Sequence, residues 1–290
     1  MTLAAALSAA TGRRVAVRPE KAVGGGSINE CWRWPSREDP LFVKLAPRDR
    51  LWMFEAEAEG LDELGRAGAL RVPRVLGCGA AAGQAFLALE WIDFGSASSR
   101  SETLLGEGLA AQHRVTGTEF GWHRGNTIGS TPQHNDPGRD WIGFFVERRL
   151  RFQLDLAARN GHAGRLTERG ALLCECAGVF FDSYRPAPSL LHGDLWGGNW
   201  AADATGRPVI FDPAVYFGDR EADLAMTRLF GGFGAAFYSA YDGAWPPESG
   251  VENRSLLYNL YHVLNHLNLF GGAYLSQAQA MIDKLLAATT

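Results

Sequence analysis

The sequence predicts an α+β chain of two lobes, a small antiparallel sheet with one packed helix over residues 1–92 and a larger, mostly helical lobe over 93–290. Three observations lead there. Short apolar or alternating runs at 30–34, 41–45, 72–77 and 85–92 are separated by turns bearing glycine or proline. One stretch among them, 50–67, instead places Leu51, Phe54, Ala58, Leu61 and Leu64 at helical spacing. After residue 95 the composition shifts towards long helical patterns.

Composition narrows the function classes. A hydrophobic content of 46% against 21% charged residues describes an ordinary globular protein with material for a sizeable core. The net charge of -4 gives no basic surface for nucleic acid or an anionic membrane. Four cysteines (Cys31, Cys78, Cys174 and Cys176) are too few and too irregularly placed for a disulfide scaffold, and Cys174 and Cys176 lack a second pair at zinc-ligand spacing. Reduced thiols and a cytoplasmic location are expected. The first ten residues are small and apolar without a basic leader, and read as a short helix rather than a signal.

In chain order, residues 2–11 are alanine-rich and predicted helical. Residues 13–23 alternate through Val15 and Val17 and read as a first strand. Gly24, Gly25, Gly26 and Ser27 form a glycine-rich turn before a second strand over 30–34. Such a hairpin can lay backbone N–H groups over a triphosphate, because glycine lets the main chain approach closely. Many hairpin turns share this composition, and the strand–loop–helix pattern G-x-x-x-x-G-K-[ST] is absent.

The strand at 41–45 carries Lys44 inside an apolar run, where an ammonium needs a partner. The helix at 50–67 offers Glu55, Glu57 and Glu59. Glu57 stands four before Leu61 and seven before Leu64, so it adjoins the stripe facing the sheet, whereas Glu55 and Glu59 are expected in solvent. The strand at 85–92 is too apolar for a sheet edge. Asp93-Phe94-Gly95 imitates a kinase metal motif, but it precedes the candidate catalytic loop, and a metal aspartate must follow it.

In the second lobe, helices are expected over 101–115, 141–158, 171–184, 228–242, 251–270 and 276–288. Residues 121–135 form a long polar connection, expected as a lid on the substrate side. Arg148, Arg149 and Arg151 read as a solvated basic face. His266 lies on an apolar helix, where a histidine is either a satisfied core residue or part of a site.

The stretch that carries chemistry is His192-Gly193-Asp194-Leu195-Trp196-Gly197-Gly198-Asn199, followed by Asp212-Pro213-Ala214 after an apolar run. Phosphoryl transfer needs a carboxylate to orient the attacking hydroxyl and accept its proton. It also needs an amide oxygen and a second carboxylate for magnesium. The kinase loop H-R-D-x-x-x-x-N has the same interval from aspartate to asparagine, with Gly193 here in place of arginine. Asp194 is therefore the candidate base, and Asn199 and Asp212 are the candidate metal ligands. Lys44 would meet the α- and β-phosphates of ATP, paired with Glu57. Backbone groups of Glu90, Trp91 and Ile92 would meet the adenine at the hinge of a bilobal, protein-kinase-like fold.

The chain resembles the fructosamine-3-kinase (ketosamine-3-kinase) family, itself similar to the aminoglycoside phosphotransferases. The resemblance runs nearly end to end. It is carried by residues 192–199 and 212–214, by 216–226 (Tyr-Phe-Gly-Asp-Arg-Glu-Ala-Asp-Leu-Ala-Met), by Leu264-Asn265-His266-Leu267-Asn268, and by the segments 126–133 and 141–154. Trp196 stands where the aminoglycoside enzymes usually have histidine, which favours the ketosamine branch. The resemblance implies phosphorylation of the 3-hydroxyl of a fructosamine, ribulosamine or erythrulosamine, using ATP and Mg2+. Breakdown of that product frees the amine. It also implies that Trp196 and His266 contact the sugar amine, and that Asp223 braces the catalytic loop. Some members carry a cysteine in the glycine-rich turn. Ser27 stands there in this chain, so Cys31 is expected to be buried and inert. A monomer is expected. The alternatives are a kinase of aminoglycosides, choline-like alcohols or other small hydroxyl compounds, and a catalytically dead kinase-like binding module.

Overall fold

The computed structural model describes residues 1–24 and 29–289. Gly25, Gly26 and Ser27, expected over the triphosphate, lie outside the described residues, while Gly24 at the start of that turn is exposed.

Five antiparallel strands form the first sheet: β1 (Lys21–Ala22), β2 (Glu30–Trp34), β3 (Leu41–Pro47), β4 (Val75–Ala81) and β5 (Gln84–Glu90), in the order β1-β2-β3-β5-β4. Side chains alternate between its faces. Leu41, Val43 and Leu45 of β3, with Phe86 and Ala88 of β5, meet Ala6 and Leu7 of helix α1 (Leu3–Thr11). Ala46, Ala85, Leu87 and Leu89 on the other face meet Phe54, Ala58 and Leu61 of helix α2 (Leu51–Ala67). Lys44 shares the face of Ala46, and this alternation aims it at α2. The Thr2 hydroxyl caps α1 by accepting from Ala5 N–H at 3.3 Å, and Gly12 closes the helix in the left-handed region.

The strand expected over 13–23 is reduced to the two residues of β1 and an isolated bridge from Val15 to Ser36. Val17 is 85% exposed, so its alternation has no core to face. β4 starts at Val75, after Pro73, which has no N–H to give a ladder.

The rest of the chain is mostly helical. After β6 (Phe94–Gly95) comes α3 (Ser99–His113), opened by a reciprocal cap between Ser98 and Ser101. The connection at 121–135 carries the hairpin β7 (Asn126–Ile128) and β8 (Thr131–Gln133). The expected helix over 141–158 runs as α4 (Trp141–Phe145), a π-helical turn (Val146–Arg151) and α5 (Phe152–Arg159). Helix α6 (Arg165–Cys176) leads to β9 (Ser189–Leu191). Then follow β10 (Trp200–Asp203), β11 (Pro208–Ile210), β12 (Tyr216–Gly218) and α7 (Arg220–Leu229). The last helices are α8 (Ala235–Ala244), α9 (Val251–Phe270) and α10 (Leu275–Ala287). Gly231 and Gly232, both left-handed, separate α7 from α8, so the helix expected from 228 starts later. α3 packs on α8, and α9 packs on α7, α5 and α10. Among the described residues no helix is long and apolar enough to cross a membrane.

Two short pairings hold the loop segments. β9 pairs with β12, and β10 lies between β11 and β6. The Phe94-Gly95 pair thus serves as an edge strand against Ala202 and Asp203.

Candidate active site

The loop 192–199 leaves β9 and enters β10, and Asp212 follows β11. Both turns depend on unusual backbone. Gly193 has φ 82, and a Cβ there would stand 2.0 Å from Ala214 O, so only glycine fits. Asp212 itself has φ 57, an uncommon and costly conformation for a residue with a side chain. Such strain is held in place by its surroundings: Ala214 N–H donates to His192 O at 2.8 Å, and Phe211 N–H to Asn199 O at 3.0 Å.

The loop is braced from behind. Asp223, on α7, accepts His192 N–H at 2.7 Å and Gly193 N–H at 2.8 Å. His113, on α3, contacts the same carboxylate at 3.1 Å and Tyr241 OH at 2.8 Å. Burial opposes the charge on Asp223, yet these hydrogen bonds hold its pKa below the ordinary carboxylate value. The His192 ring is buried, and burial lowers its pKa, so it is neutral. Its Nε2–H donates to Phe211 O at 3.0 Å, leaving Nδ1 to accept Asp194 N–H at 3.3 Å.

Asp194, Asn199, Asp212, Lys44 and Glu57 converge on one cleft of about 370 Å3. Lys44 Nζ lies 2.6 Å from Glu57 Oε1 and 2.6 Å from Asp212 Oδ1. Burial disfavours the ammonium, but the Asp212 and Glu57 carboxylates outweigh it and raise the Lys44 pKa. Asn199 Nδ2 donates to Asp194 O at 2.8 Å, with Asp194 Oδ2 at 3.3 Å. Burial, and then the negative charge of Asp212, push the Asp194 carboxyl up to about 7.

Among the described residues no group of three or more histidine, cysteine or acidic side chains could enclose a metal alone. The Asp212 carboxylate and the Asn199 amide oxygen, whose amide nitrogen is turned to Asp194, supply hard oxygen donors. That set fits magnesium, which keeps several waters and shares phosphate oxygens with its nucleotide.

Trp196 and His266 line the same cleft. Trp196 is 38% exposed, and its indole lies where a Cβ on Gly198 would be, 2.3 Å from the ring. His266 is half-buried, and its Nδ1 contacts His262 O at 2.9 Å. Glu90, Trp91 and Ile92 are not brought into this cleft. Glu90 N–H donates to Arg74 O, and its carboxylate pairs with Arg74 at 3.0 Å and Arg71 at 3.6 Å. Trp91 donates Nε1–H to Asp93 at 2.8 Å.

Some groups stand differently from their sequence reading. Glu59 is not simply solvated: it pairs with Arg124 at 2.6 Å and contacts His123 at 2.8 Å, tying α2 to the 121–125 segment. Arg149 is fully buried rather than part of a solvated face. It donates to His134 O at 2.6 Å and Asn135 Oδ1 at 2.7 Å, and lies over the Tyr216 ring at 4.3 Å. The expected lid is pinned to the floor of the site: Asn126 Nδ2 donates to Val215 O at 2.8 Å, and Gln133 Nε2 to Ala214 O at 3.1 Å. Cys31 lines the cleft half-buried, and burial pushes its thiol up to about 11.

The fructosamine kinase family model matches residues 1–288. The chain belongs to the fructosamine kinase family. A probable ketoamine kinase of Synechocystis is 45% identical over 286 residues, covering 98% of this chain and 96% of the relative. The chloroplastic protein-ribulosamine 3-kinase of Arabidopsis thaliana is 41% identical over 268 residues, covering 91% and 82%. The crystal structure of a candidate fructosamine-3-kinase from Haemophilus somnus superposes with a TM-score of 0.88 at 30% identity, covering 98% of this chain and 97% of that one. The fold is protein-kinase-like, and the family acts by phosphoryl transfer to a hydroxyl.

Proposed function

We propose that the protein is an ATP-dependent ketosamine 3-kinase, with its small lobe over 1–92 and its large lobe over 93–290. The observation that carries this reading is the convergence of Asp194, Asn199, Asp212 and the Lys44–Glu57 pair on one cleft that Trp196 and His266 also line. The family relationship supports a ketosamine as the acceptor.

In this reading Asp194 orients the sugar 3-hydroxyl and takes its proton as the oxygen attacks the γ-phosphorus. The bond to the ADP oxygen breaks, and the product is a 3-phosphoketosamine, whose breakdown frees the amine. Lys44, steadied by Glu57, holds the α- and β-phosphates. The main chain of Glu90, Trp91 and Ile92 meets the adenine at the hinge, outside the cleft that the catalytic cluster lines, with the Glu90 N–H already bonded to Arg74 O. Asn199 and Asp212 would hold magnesium, which would neutralise phosphate oxygens. The transition state is loose, so positioning and electrostatics carry most of the rate. Trp196 offers a π-face to the cationic secondary amine and the sugar ring.

The test is magnesium-dependent ATP consumption with fructosyl-, ribulosyl- and erythrulosyl-amines, an aminoglycoside and choline. Turnover on a ketosamine is expected. Turnover confined to the aminoglycoside or choline would overturn the acceptor assignment and leave the phosphotransferase. Silence on all five would overturn both.

A further inference from the structure

Helix α2 is held from two sides. Its Phe54, Ala58 and Leu61 pack on the sheet, but Leu64, and Leu70 just beyond the helix, belong to the core of the large lobe. At Gly60 the helix rides on the turn after β11: a Cβ there would stand 3.1 Å from the Val215 side chain and 3.7 Å from the Pro213 ring. These contacts fix the second half of α2. Glu57 stands in the first half.

That half is acidic. It carries Glu55, Glu57 and Glu59, and α2 has no basic residue before Arg66. Glu55 and Glu59, four residues apart, are like charges on one side of the helix. Their counter-charge comes from the large lobe. Arg124, in the segment between α3 and β7, pairs with Glu59 at 2.6 Å and lies 4.0 Å from Glu55. Its Nη2–H also donates to Trp52 O at 3.3 Å, so one guanidinium spans about two turns of the helix. His123 Nε2 lies 2.8 Å from Glu59.

Arg124 is itself firmly seated. Gly121 and Phe217 exchange two main-chain hydrogen bonds, both 2.8 Å. Asn135 Nδ2 donates to Arg124 O at 3.2 Å, and buried Arg149 donates to Asn135 Oδ1 at 2.7 Å. The β7–β8 hairpin that follows is pinned separately, by Asn126 on Val215 O and Gln133 on Ala214 O. Removing the Arg124 side chain therefore frees the first half of α2 without releasing the hairpin.

We propose that Arg124 is a positioning residue for the phosphate clamp: from the large lobe it sets the first half of α2 so that Glu57 meets Lys44. Arg124 is not among the described residues lining the cleft, so it acts through the helix. When the tie is lost, Glu57 draws back and Lys44 is left to Asp212, no longer aimed at the α- and β-phosphates. The inference rests on the ATP-dependent reading of the site and deepens it.

The test is titration with magnesium and a non-hydrolysable ATP analogue, with KM for a ketosamine measured alongside. The proteins are the wild type, Arg124→Ala, Arg124→Glu and the charge-exchanged Arg124→Glu/Glu59→Arg. A partly exposed ion pair is worth little, but this guanidinium holds three groups, so Arg124→Ala should weaken nucleotide binding about fivefold. Arg124→Glu sets a further carboxylate against Glu55 and Glu59 and should weaken it more. The exchanged pair should recover most of that loss, which a simple loss of folded protein does not imitate. KM for the ketosamine should stay at the wild-type value throughout. Native nucleotide affinity in both single variants, an exchanged pair no better than Arg124→Glu, or a ketosamine KM rising as much as the nucleotide Kd would each overturn the tie while leaving the kinase. A wild type that bound nucleotide but turned over no ketosamine would overturn the acceptor assignment alone, and the exchanged pair would still decide the tie. A wild type that bound no nucleotide would overturn the ATP-dependent reading and the tie with it.

Discussion

Lys44 Nζ and Asp212 Oδ1 lie 2.6 Å apart although 168 residues separate them in sequence. This contact joins β3 of the sheet to the turn after β11, and Glu57 of α2 completes it at 2.6 Å. One ammonium therefore bridges two carboxylates that would otherwise repel each other, leaving one net negative charge on the trio.

Replacing Lys44 by methionine leaves those carboxylates facing one another without a cation. Breaking a buried pair costs about 3–5 kcal/mol, but the Asp212 side chain is 41% exposed, which reduces the expected loss to about 2 kcal/mol. Thermal unfolding should register this as a lower Tm. Turnover at saturating ATP should fall at least about a hundredfold, because the phosphate clamp is gone. A Lys44→Met variant with native turnover would remove Lys44 from the chemistry.

The Asp223 carboxylate holds the catalytic loop by two main-chain N–H groups and touches His113. Asp223→Ala strands buried donors, at about 1–3 kcal/mol for each unsatisfied group. Asp223→Asn retains one acceptor oxygen of nearly the same shape. Stability measured by urea unfolding should therefore rank wild type, then asparagine, then alanine, and kcat should follow the same order. If alanine matched the wild type in both, the brace would have no role in holding the loop.

The partners Lys44 and Glu57 were legible because a strand alternates and a helix repeats, so each face is set locally. Arg149 was not legible. It lies in a π-helical turn, whose extra residue rotates the side chains away from the regular 3.6-residue pattern. Its place is set by Tyr216 and Asn135, both remote contacts. Val15 and Val17 alternate as a strand should, but alternation specifies a strand only where a neighbouring strand and a core exist. The cleft-facing side of α9 has a signature in the sequence: positions 262, 265, 266, 269 and 270 share one helix face. Phe230 and Tyr274 come to that face only through tertiary packing, which spacing does not reveal.

Stability should weaken in mild acid through His262. Its ring is buried, Nδ1 has no hydrogen-bond partner among the described residues, and burial pushes its pKa down to about 3. An unfolded histidine binds its proton near the ordinary value of about 6.5. Between those values the unfolded state binds more protons, so stability is lost as pH falls from 6.5 towards 3. His192 is depressed by burial in the same direction. The slope from one such group approaches 1.4 kcal/mol per pH unit. Urea unfolding at about pH 7 and about pH 5 measures it, and His262→Phe should flatten the dependence. An identical slope in that variant would assign the acid sensitivity elsewhere.

Asp194→Asn separates chemistry from binding. The substitution preserves shape, and the Asn199 amide can still donate to the main-chain oxygen of residue 194, so the loop should keep its conformation. Lys44 and Asp212, which face the nucleotide in the proposed mechanism, are untouched. Titration with magnesium and a non-hydrolysable ATP analogue should therefore give near-native affinity. The amide, however, cannot accept the proton of the sugar hydroxyl. General-base catalysis contributes about 10²–10⁴-fold, and kcat should fall within that range or beyond it. A variant that bound nucleotide normally and turned over at the native rate would show that the proton leaves by another route. A variant that lost nucleotide binding as well would place Asp194 in the phosphate site rather than at the attacking hydroxyl.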